Sequence, residues 1–99
     1  MRMVAGDEFW LSPSYGRPLS CFLTLLLYDP SQQQKDLYFG EVHRLTSPLS
    51  GRPHWGKEFH STLGEMTRLY PKLTNFLSLQ QELDSKGIFL NEFLESTFI

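Results

Sequence analysis

An unbroken apolar run at residues 21–28, CFLTLLLY, constrains the fold of this chain more than any other feature of its sequence. A run of this length suits a buried strand, and because its side chains are apolar toward both faces, both faces need cover. We therefore predict the main strand over residues 20–28. A chain of 99 residues has little material for covering two faces, so we expect partners outside it.

The rest of the sequence predicts an α+β fold, in which short strands come first and helices follow. In chain order we predict a strand over 2–11, a turn over 12–16, a helix over 32–46, an extended segment over 52–56, helices over 62–69 and 72–83, and an amphipathic tail over 88–99. Hydrophobic residues make up 40% of the chain. That is enough for a core, although a unit of this size is marginally stable by itself.

The helix predictions rest on local patterns. Ser31 is placed to cap the helix over 32–46, and Thr62 with Glu65 has the spacing of a capping box. Helical spacing predicts one buried side in each segment. The residues of these sides are Tyr38, Val42, Leu45 and Leu49 in the first helix and Leu73, Phe76, Leu77 and Leu83 in the third. The amphipathic tail carries Phe89, Leu90, Phe93, Leu94 and Phe98. Of these, Phe89, Phe93 and Phe98 are predicted to form an exposed patch in the isolated chain, and core in a complete protein.

Charge and cysteine content exclude several classes of function. The net charge of −2 gives the chain no electrostatic attraction to nucleic acid or to an anionic membrane. Cys21 is the one cysteine, so no intrachain disulfide is possible and the redox compartment stays open. No signal peptide is visible, and the run over 21–28 is less than half of the roughly 20 residues that a membrane-spanning helix needs.

The common catalytic patterns are not found. His43, His54 and His60 lack the spacing of metal ligands, so we predict no metal site. No serine lies in a G-x-S-x-G elbow, and Asp7 and Glu8 are adjacent, which would place them on opposite faces of a strand. The seven glycines never approach a phosphate-binding spacing, so this chain alone cannot build a nucleotide site.

The segment RPHWGK at residues 52–57 is the most unusual feature, because it places cations, an imidazole and an indole between turn-forming residues. If the segment is extended, Trp55 and Lys57 share one face. Lys57 could then donate hydrogen bonds to a hydroxylated ligand beside an apolar wall formed by Trp55. The competing interpretation is structural, with Trp55 in the core, His54 hydrogen-bonded and Lys57 in solvent.

Four ordered stretches resemble the C-terminal region of the aldonolactone oxidases, the family of D-arabinono-1,4-lactone oxidase and L-gulonolactone oxidase within the vanillyl-alcohol-oxidase superfamily. Residues 2–13 resemble the family pattern R-x-V-A-A-D-D-x-W-L-S-P, and residues 15–17 resemble Y-G-R-D. Residues 52–57 match R-P-H-W-x-K without departure. Residues 70–94 resemble the closing pattern Y-P … L-D-P-x-G-x-F-L-N-x-Y-L. The resemblance covers nearly the whole chain.

The resemblance implies that residues 1–99 are the C-terminal domain of a two-domain FAD oxidase. They would form a partial cap-domain sheet with two or three helices and a C-terminal helix. The cofactor would be FAD, held by an N-terminal domain outside these residues and not bindable by this chain alone. Family members oxidise an aldonolactone or alditol carbon by hydride transfer to the flavin, and the lactone oxidases then reduce O2 to H2O2 and form ascorbate-type products. Relatives are often membrane-associated, in the endoplasmic reticulum or mitochondrion.

The resemblance also implies roles for single residues. Arg2 stands where the family has the Arg of a Glu-x-Arg pair, and Lys57 stands where a lysine reaches the substrate hydroxyls, so both are predicted to be catalytic. An Arg suits this work because its fork is always charged and can bind two oxygens. His54, Trp55 and Asn91 are predicted to lie against the cofactor.

The sequence departs from the family pattern at several positions. The family's Glu, two residues before Arg2, would fall before Met1; Ser85 stands where Pro is usual; and an insertion at Pro18 blurs the match of Thr24 to a substrate-facing position. The expected function is therefore that of an enzyme fragment, inactive alone, that completes a lactone oxidase active site. The alternative is a non-catalytic remnant that acts as a protein-interaction module through its apolar tail.

Overall fold

A computed structural model describes all 99 residues and shows two short strands followed by four α-helices. The elements are β1 (Arg2–Ala5), β2 (Leu19–Phe22), α1 (Gln32–Thr46), α2 (Leu63–Leu69), α3 (Leu73–Leu83) and α4 (Glu92–Phe98), with a 3-10 turn over Ser47–Leu49 after α1. This arrangement confirms the predicted fold class, a small α+β fragment. None of the helices combines the length and apolar character that crossing a bilayer requires.

The two strands pair antiparallel, with Arg2 opposite Phe22 and Ala5 opposite Leu19. Both strands are shorter than predicted. The first ends at Ala5, because the carboxylate of Asp7 accepts hydrogen bonds from the Phe9 N–H and the Ser12 hydroxyl and turns the chain. The predicted strand over 20–28 ends at Phe22, because no third strand of the chain offers backbone partners to residues 23–28.

The connection between the strands folds back on itself over residues 6–18. Gly6 donates its N–H to Pro18 O, and Asp7 N–H donates to Ser14 O. A Cβ atom at position 6 would lie 1.5 Å from Arg17 O, so only glycine fits this close approach of the two backbones. The connection is therefore a compact loop attached directly to the end of the sheet.

Both predicted helix caps are confirmed. The Ser31 hydroxyl accepts from Gln34 N–H while the Gln34 side chain accepts from Ser31 N–H, and Thr62 and Glu65 make the same reciprocal pair at α2. The predicted buried side of α1 is wrong in part, since Leu45 is 60% exposed and α1 has no buried residue. Leu49, in the 3-10 turn, is likewise exposed. Tyr38 and Val42, on the same predicted side, are half-buried.

The core of the molecule lies where α2 meets α3. Met66, Tyr70 and Leu73 are its fully buried apolar residues. Around them pack the partly buried side chains Leu11, Trp55, Phe59, Leu63, Leu69, Phe76, Leu77 and Phe98. Burial raises the pKa of Tyr70 to about 12, because its charged form would lose solvent. The prediction for α3 fails only at Leu83, which ends the helix and is exposed.

The tail forms α4, as the amphipathic pattern predicts. Before it, Gly87 adopts a positive φ of 66° and the Asp84 carboxylate accepts from the Ile88 and Phe89 N–H groups, which together close the turn after α3. Phe89 and Phe93 are exposed, as predicted for the isolated chain, whereas Phe98, predicted to be exposed with them, packs against the edge of the core. The helix therefore begins only after this turn, at Glu92.

Candidate functional site

Five parts of the chain line an open cleft of about 1080 Å³. These are the start of β1, Pro13 and Arg17 of the following loop, β2 with its continuation to Leu26, one side of α1, and the segment over residues 51–60. Arg2 lies far in sequence from His54 and Lys57, yet all three line this cleft. Phe22, together with the leucines that follow it, contributes an apolar stretch beside these donors.

Arg2 and Lys57 are the two exposed cations of the cleft that have no acidic partner. The ion pairs of the structure involve other residues, namely Lys35 with Glu58, His43 with Glu65 and Arg44 with Glu41. Free ammonium and guanidinium groups at the wall of a cleft are donors for hydroxyl, carbonyl or carboxylate oxygens of a ligand. Thr24 lines the same cleft, near its apolar stretch.

The segment over 52–57 is a turn at its centre, which corrects the predicted extended conformation. Lys57 N–H donates to His54 O at 3.1 Å, and Gly56 N–H donates to His54 Nδ1 at 3.0 Å. The face predicted to be shared by Trp55 and Lys57 is therefore wrong, because the turn sends Trp55 toward the core and Lys57 toward the cleft. Since Nδ1 of His54 accepts a bond, its neutral ring carries the proton on Nε2 and presents a donor.

Trp55 has structural contacts. Its indole N–H donates to Leu11 O at 2.9 Å, and its ring centroid lies 5.7 Å from Phe59 and 5.1 Å from Tyr70. Such aromatic pairs stabilise a core beyond their buried area. Trp55 does not line the cleft. These contacts agree with the structural interpretation of this residue, and its predicted contact with the cofactor stays a prediction.

Asn91 also lies away from the cleft. Its side-chain oxygen accepts from Leu94 N–H at 2.9 Å, which makes it the cap of α4. Asn is among the preferred residues for this position because its short side chain reaches the free N–H groups of the first turn. Asn91 is otherwise exposed, and its predicted contact with the cofactor is not tested by these contacts.

Arg52 is the residue of the segment whose role the sequence did not reveal. Its Nε donates to Leu69 O at 2.9 Å, and its Nη1 donates to the carbonyls of Pro13 at 3.0 Å and Tyr15 at 2.9 Å. Its guanidinium carbon lies 4.7 Å from the centroid of the Tyr70 ring. Burial lowers the pKa of Arg52 from its ordinary value, with a smaller contribution from the charge of Arg17.

Helix α1 is joined to the rest of the site by polar and aromatic contacts. His43 Nε2 lies 3.2 Å from Glu65 Oε1, and the Phe39 ring stacks on His60 at 6.5 Å. The hydrogen bond from the Thr62 backbone, followed by that from His43, lowers the pKa of Glu65. No three His, Cys, Asp or Glu side chains come together in a way that could hold a metal ion.

Comparison with known proteins agrees with the four ordered motifs. Three relatives are oxidoreductases whose names specify a sugar lactone or an alditol. The chain belongs to the D-arabinono-1,4-lactone oxidase family, whose family model matches residues 1–97.

Three relatives show how widely this family is spread. The chain is 34% identical over 100 residues to L-gulonolactone oxidase of Scyliorhinus torazame, a match that covers 99% of this chain and 22% of the relative. It is 38% identical over 97 residues to alditol oxidase of Streptomyces sp. (95% and 22%) and 31% identical over 93 residues to L-gulono-1,4-lactone dehydrogenase of Mycobacterium tuberculosis (94% and 21%). The chain thus spans about a fifth of the length of these proteins.

Proposed function

We propose that residues 1–99 form one wall of the substrate site in an FAD-dependent sugar-1,4-lactone oxidase, as the C-terminal domain beside an N-terminal FAD-binding domain. The carrying observation is that Arg2, His54 and Lys57 line one cleft although the sequence separates Arg2 from the other two by about half of the chain. An aldonolactone or alditol is rich in oxygen acceptors, and Arg2, His54 and Lys57 offer this cleft three donors that take part in no ion pair.

The residues of the cleft fit part of the proposed cofactor. Donors next to an apolar stretch suit the edge of a planar ring that carries nitrogen and oxygen acceptors, whereas no glycine-rich loop of the chain suits a diphosphate. Bound FAD would supply the acceptor for the two electrons that leave the substrate carbon, and in an oxidase these electrons reach O2. The diphosphate and adenosine would be held outside residues 1–99.

The cleft residues would orient the substrate and stabilise charge on it. As a hydroxyl carbon is oxidised, negative charge develops on its oxygen in the transition state, and the guanidinium of Arg2 and the ammonium of Lys57 would stabilise that charge. His54 would donate its Nε2–H to a further oxygen. We propose that Trp55 contributes indirectly, by holding the turn that carries His54 and Lys57, and that Asn91 contributes by starting α4, whose Phe98 packs on Trp55.

The test is a chimera in which residues 1–99 replace the matching stretch of the Scyliorhinus torazame L-gulonolactone oxidase. We expect this chimera to bind FAD and to reduce it when a 1,4-lactone is added. Lys57→Ala should lower kcat/KM by about 10- to 1,000-fold, the range for losing a positioned polar contact in the transition state. The matched control is Lys86→Ala, at an exposed lysine outside the cleft. A folded, flavin-loaded chimera without lactone-dependent flavin reduction would overturn the proposal.

The alternative, a protein-interaction module, draws on the exposed apolar residues Leu23, Leu26, Tyr28 and Phe89. The same surface is expected of one wall of a larger enzyme, so exposure alone does not separate the two functions. Light scattering of the purified chain does separate them in part. A monodisperse monomer that captures no partner would count against the module, and stoichiometric FAD on the chain alone would contradict the expectation that the cofactor is held elsewhere.

A further inference from the structure

We propose that Arg52 is a positioning residue that holds His54 and Lys57 in place across the cleft from Arg2. This inference rests on the proposed function, and it concerns a side chain at the wall of the cleft whose guanidinium donates to backbone carbonyls. Arg52 acts through the turn that follows it, so it is not itself assigned any contact with substrate.

Two side chains anchor the turn, and both bind the same loop. The Trp55 indole donates to Leu11 O, and the Arg52 guanidinium donates to Pro13 O and Tyr15 O. The turn itself holds only its two short-range bonds, Lys57 N–H to His54 O and Gly56 N–H to His54 Nδ1. The anchors therefore determine where the turn, with its cleft-lining side chains, lies relative to the rest of the chain.

The loop over residues 11–15 is bonded in turn to the strand that begins at Arg2. Asp7 N–H donates to Ser14 O at 3.4 Å, and Gly16 N–H donates to Asp7 O at 3.0 Å, immediately after β1. Hydrogen bonds thus run from the end of β1 through the loop to the Arg52 guanidinium, and the backbone leads from Arg52 directly into the turn. These links join the two cationic sides of the cleft, although their positions in sequence are far apart.

The anchor requires an arginine. One guanidinium reaches carbonyls of two separate segments, at Pro13 and Tyr15 on one side and at Leu69 on the other, while its central carbon lies over the Tyr70 ring. A lysine keeps the charge but has a single nitrogen and no planar fork, so it cannot satisfy both segments at once. Arg52→Lys therefore removes the fixed geometry while it leaves the net charge and the side chains of Arg2, His54 and Lys57 unchanged.

The first test uses the chain itself and needs no activity. Amide hydrogen exchange measured by NMR should become about 10-fold faster at Gly56 and Lys57 in Arg52→Lys, while amides in the middle of α3 keep their rates. The matched control is Arg68→Lys, at an exposed arginine of α2. Unchanged exchange at these two amides, or an equal increase at every amide of the chain, would overturn the inference.

The second test uses the oxidase chimera and stopped-flow reduction of its flavin. Arg52→Lys should lower the rate of reduction about 100-fold, as expected when reacting groups are displaced by roughly 1 Å. In a background that already carries His54→Ala and Lys57→Ala, the same change should cost less than about 3-fold, because its effect passes through those side chains. Equal losses in both backgrounds would overturn the positioning role. Failure of the proposed function can be told apart from failure of the positioning role. If the proposed function is wrong, the unmutated chimera is inactive, and the hydrogen-exchange test alone decides the role of Arg52.

Discussion

The two halves of the molecule differ in how much of their apolar surface they bury. The helical half, residues 51–99, contains all three fully buried apolar side chains, Met66, Tyr70 and Leu73. The strand half, residues 1–50, contains buried side chains only at Ser14 and Ser20. The helical half thus supplies most of a small core, to which the strand half adds Leu11. The strand half is the kind of surface that another part of a larger protein is expected to cover.

The exposed apolar residues of the strand half support this comparison. Leu23 and Leu26 follow β2 and are 60% and 63% exposed. Monomeric proteins seldom leave such a run uncovered. Helix α1, in the same half, is held by Lys35, Phe39 and His43 through ionic and ring contacts rather than by buried apolar packing. The cleft lies where the two halves meet, so its shape depends on both.

The largest expected difference in unfolding free energy is between alanine substitutions at two leucines. Leu73→Ala should lower the free energy of unfolding of the chain by about 2–5 kcal/mol, because it leaves a cavity in the core. Leu26→Ala, the same chemical change in the strand half, should alter it by less than about 0.5 kcal/mol. Urea unfolding followed by circular dichroism measures both. Equal losses would show that residues 23–28 are packed as firmly as the core.

Removing the caps of two helices should give a smaller difference in stability. Thr62→Ala removes the cap of α2, whose Met66 lies in the core, and should cost about 1 kcal/mol of global stability. Ser31→Ala removes an equivalent cap from α1, which has no buried residue, and should cost less than about 0.5 kcal/mol, because α1 can unwind locally without opening the core. The same urea titration measures the pair, and a larger loss for Ser31→Ala would contradict the comparison.

The smallest expected effect is on the pH dependence of stability. The hydrogen bond from Thr62, with a lesser one from His43, lowers the pKa of Glu65 in the folded chain. Its contribution is therefore present above the ordinary glutamate pKa of 4.5 and is lost as the pH falls through the lower folded pKa. Glu65→Gln should flatten the stability profile in that acidic window.

The matched control is Glu41→Gln in α1. The hydrogen bond from Arg44 lowers the pKa of Glu41, but both groups are fully exposed, so the pair should contribute little to global stability. The curve of unfolding free energy against pH, measured from neutral pH to the acidic window, should therefore change shape for the Glu65 variant alone. Identical curves for the two variants would show that the two halves do not differ in the pH dependence of their stability.

Most of the helical structure was predictable from sequence, because its determinants are local. The two capping boxes, the break at Pro71 and the turn at Gly87 act within a few residues, and the structure confirms the helices they delimit. The strands were predicted too long, because a strand extends only as far as a neighbour supplies hydrogen bonds. Leu45 illustrates the same limit: helical spacing predicts a shared side but not whether anything packs on it.

The site was predictable only in part. Arg2, His54 and Lys57 were singled out, and the structure places them in one cleft, while their roles stay proposals. Arg52 was missed because its partners are carbonyls 17 to 40 residues away, and carbonyls carry no sequence pattern. The turn at Trp55 was missed because the side chains that anchor it, Arg52 and Trp55, bind the loop over 11–15, which only the folded chain brings near.

Hydrogen exchange compared between the chain alone and the oxidase chimera tests the central claim most directly. That claim is that the strand half is a wall completed by other parts of an oxidase, while the helical half already holds the buried core of the chain. We predict that amides of β2 and α1 exchange at least about 10-fold more slowly in the chimera, and that amides of α2 and α3 near Met66 and Leu73 keep similar protection in both. Equal protection of β2 and α1 in the two contexts would contradict the account.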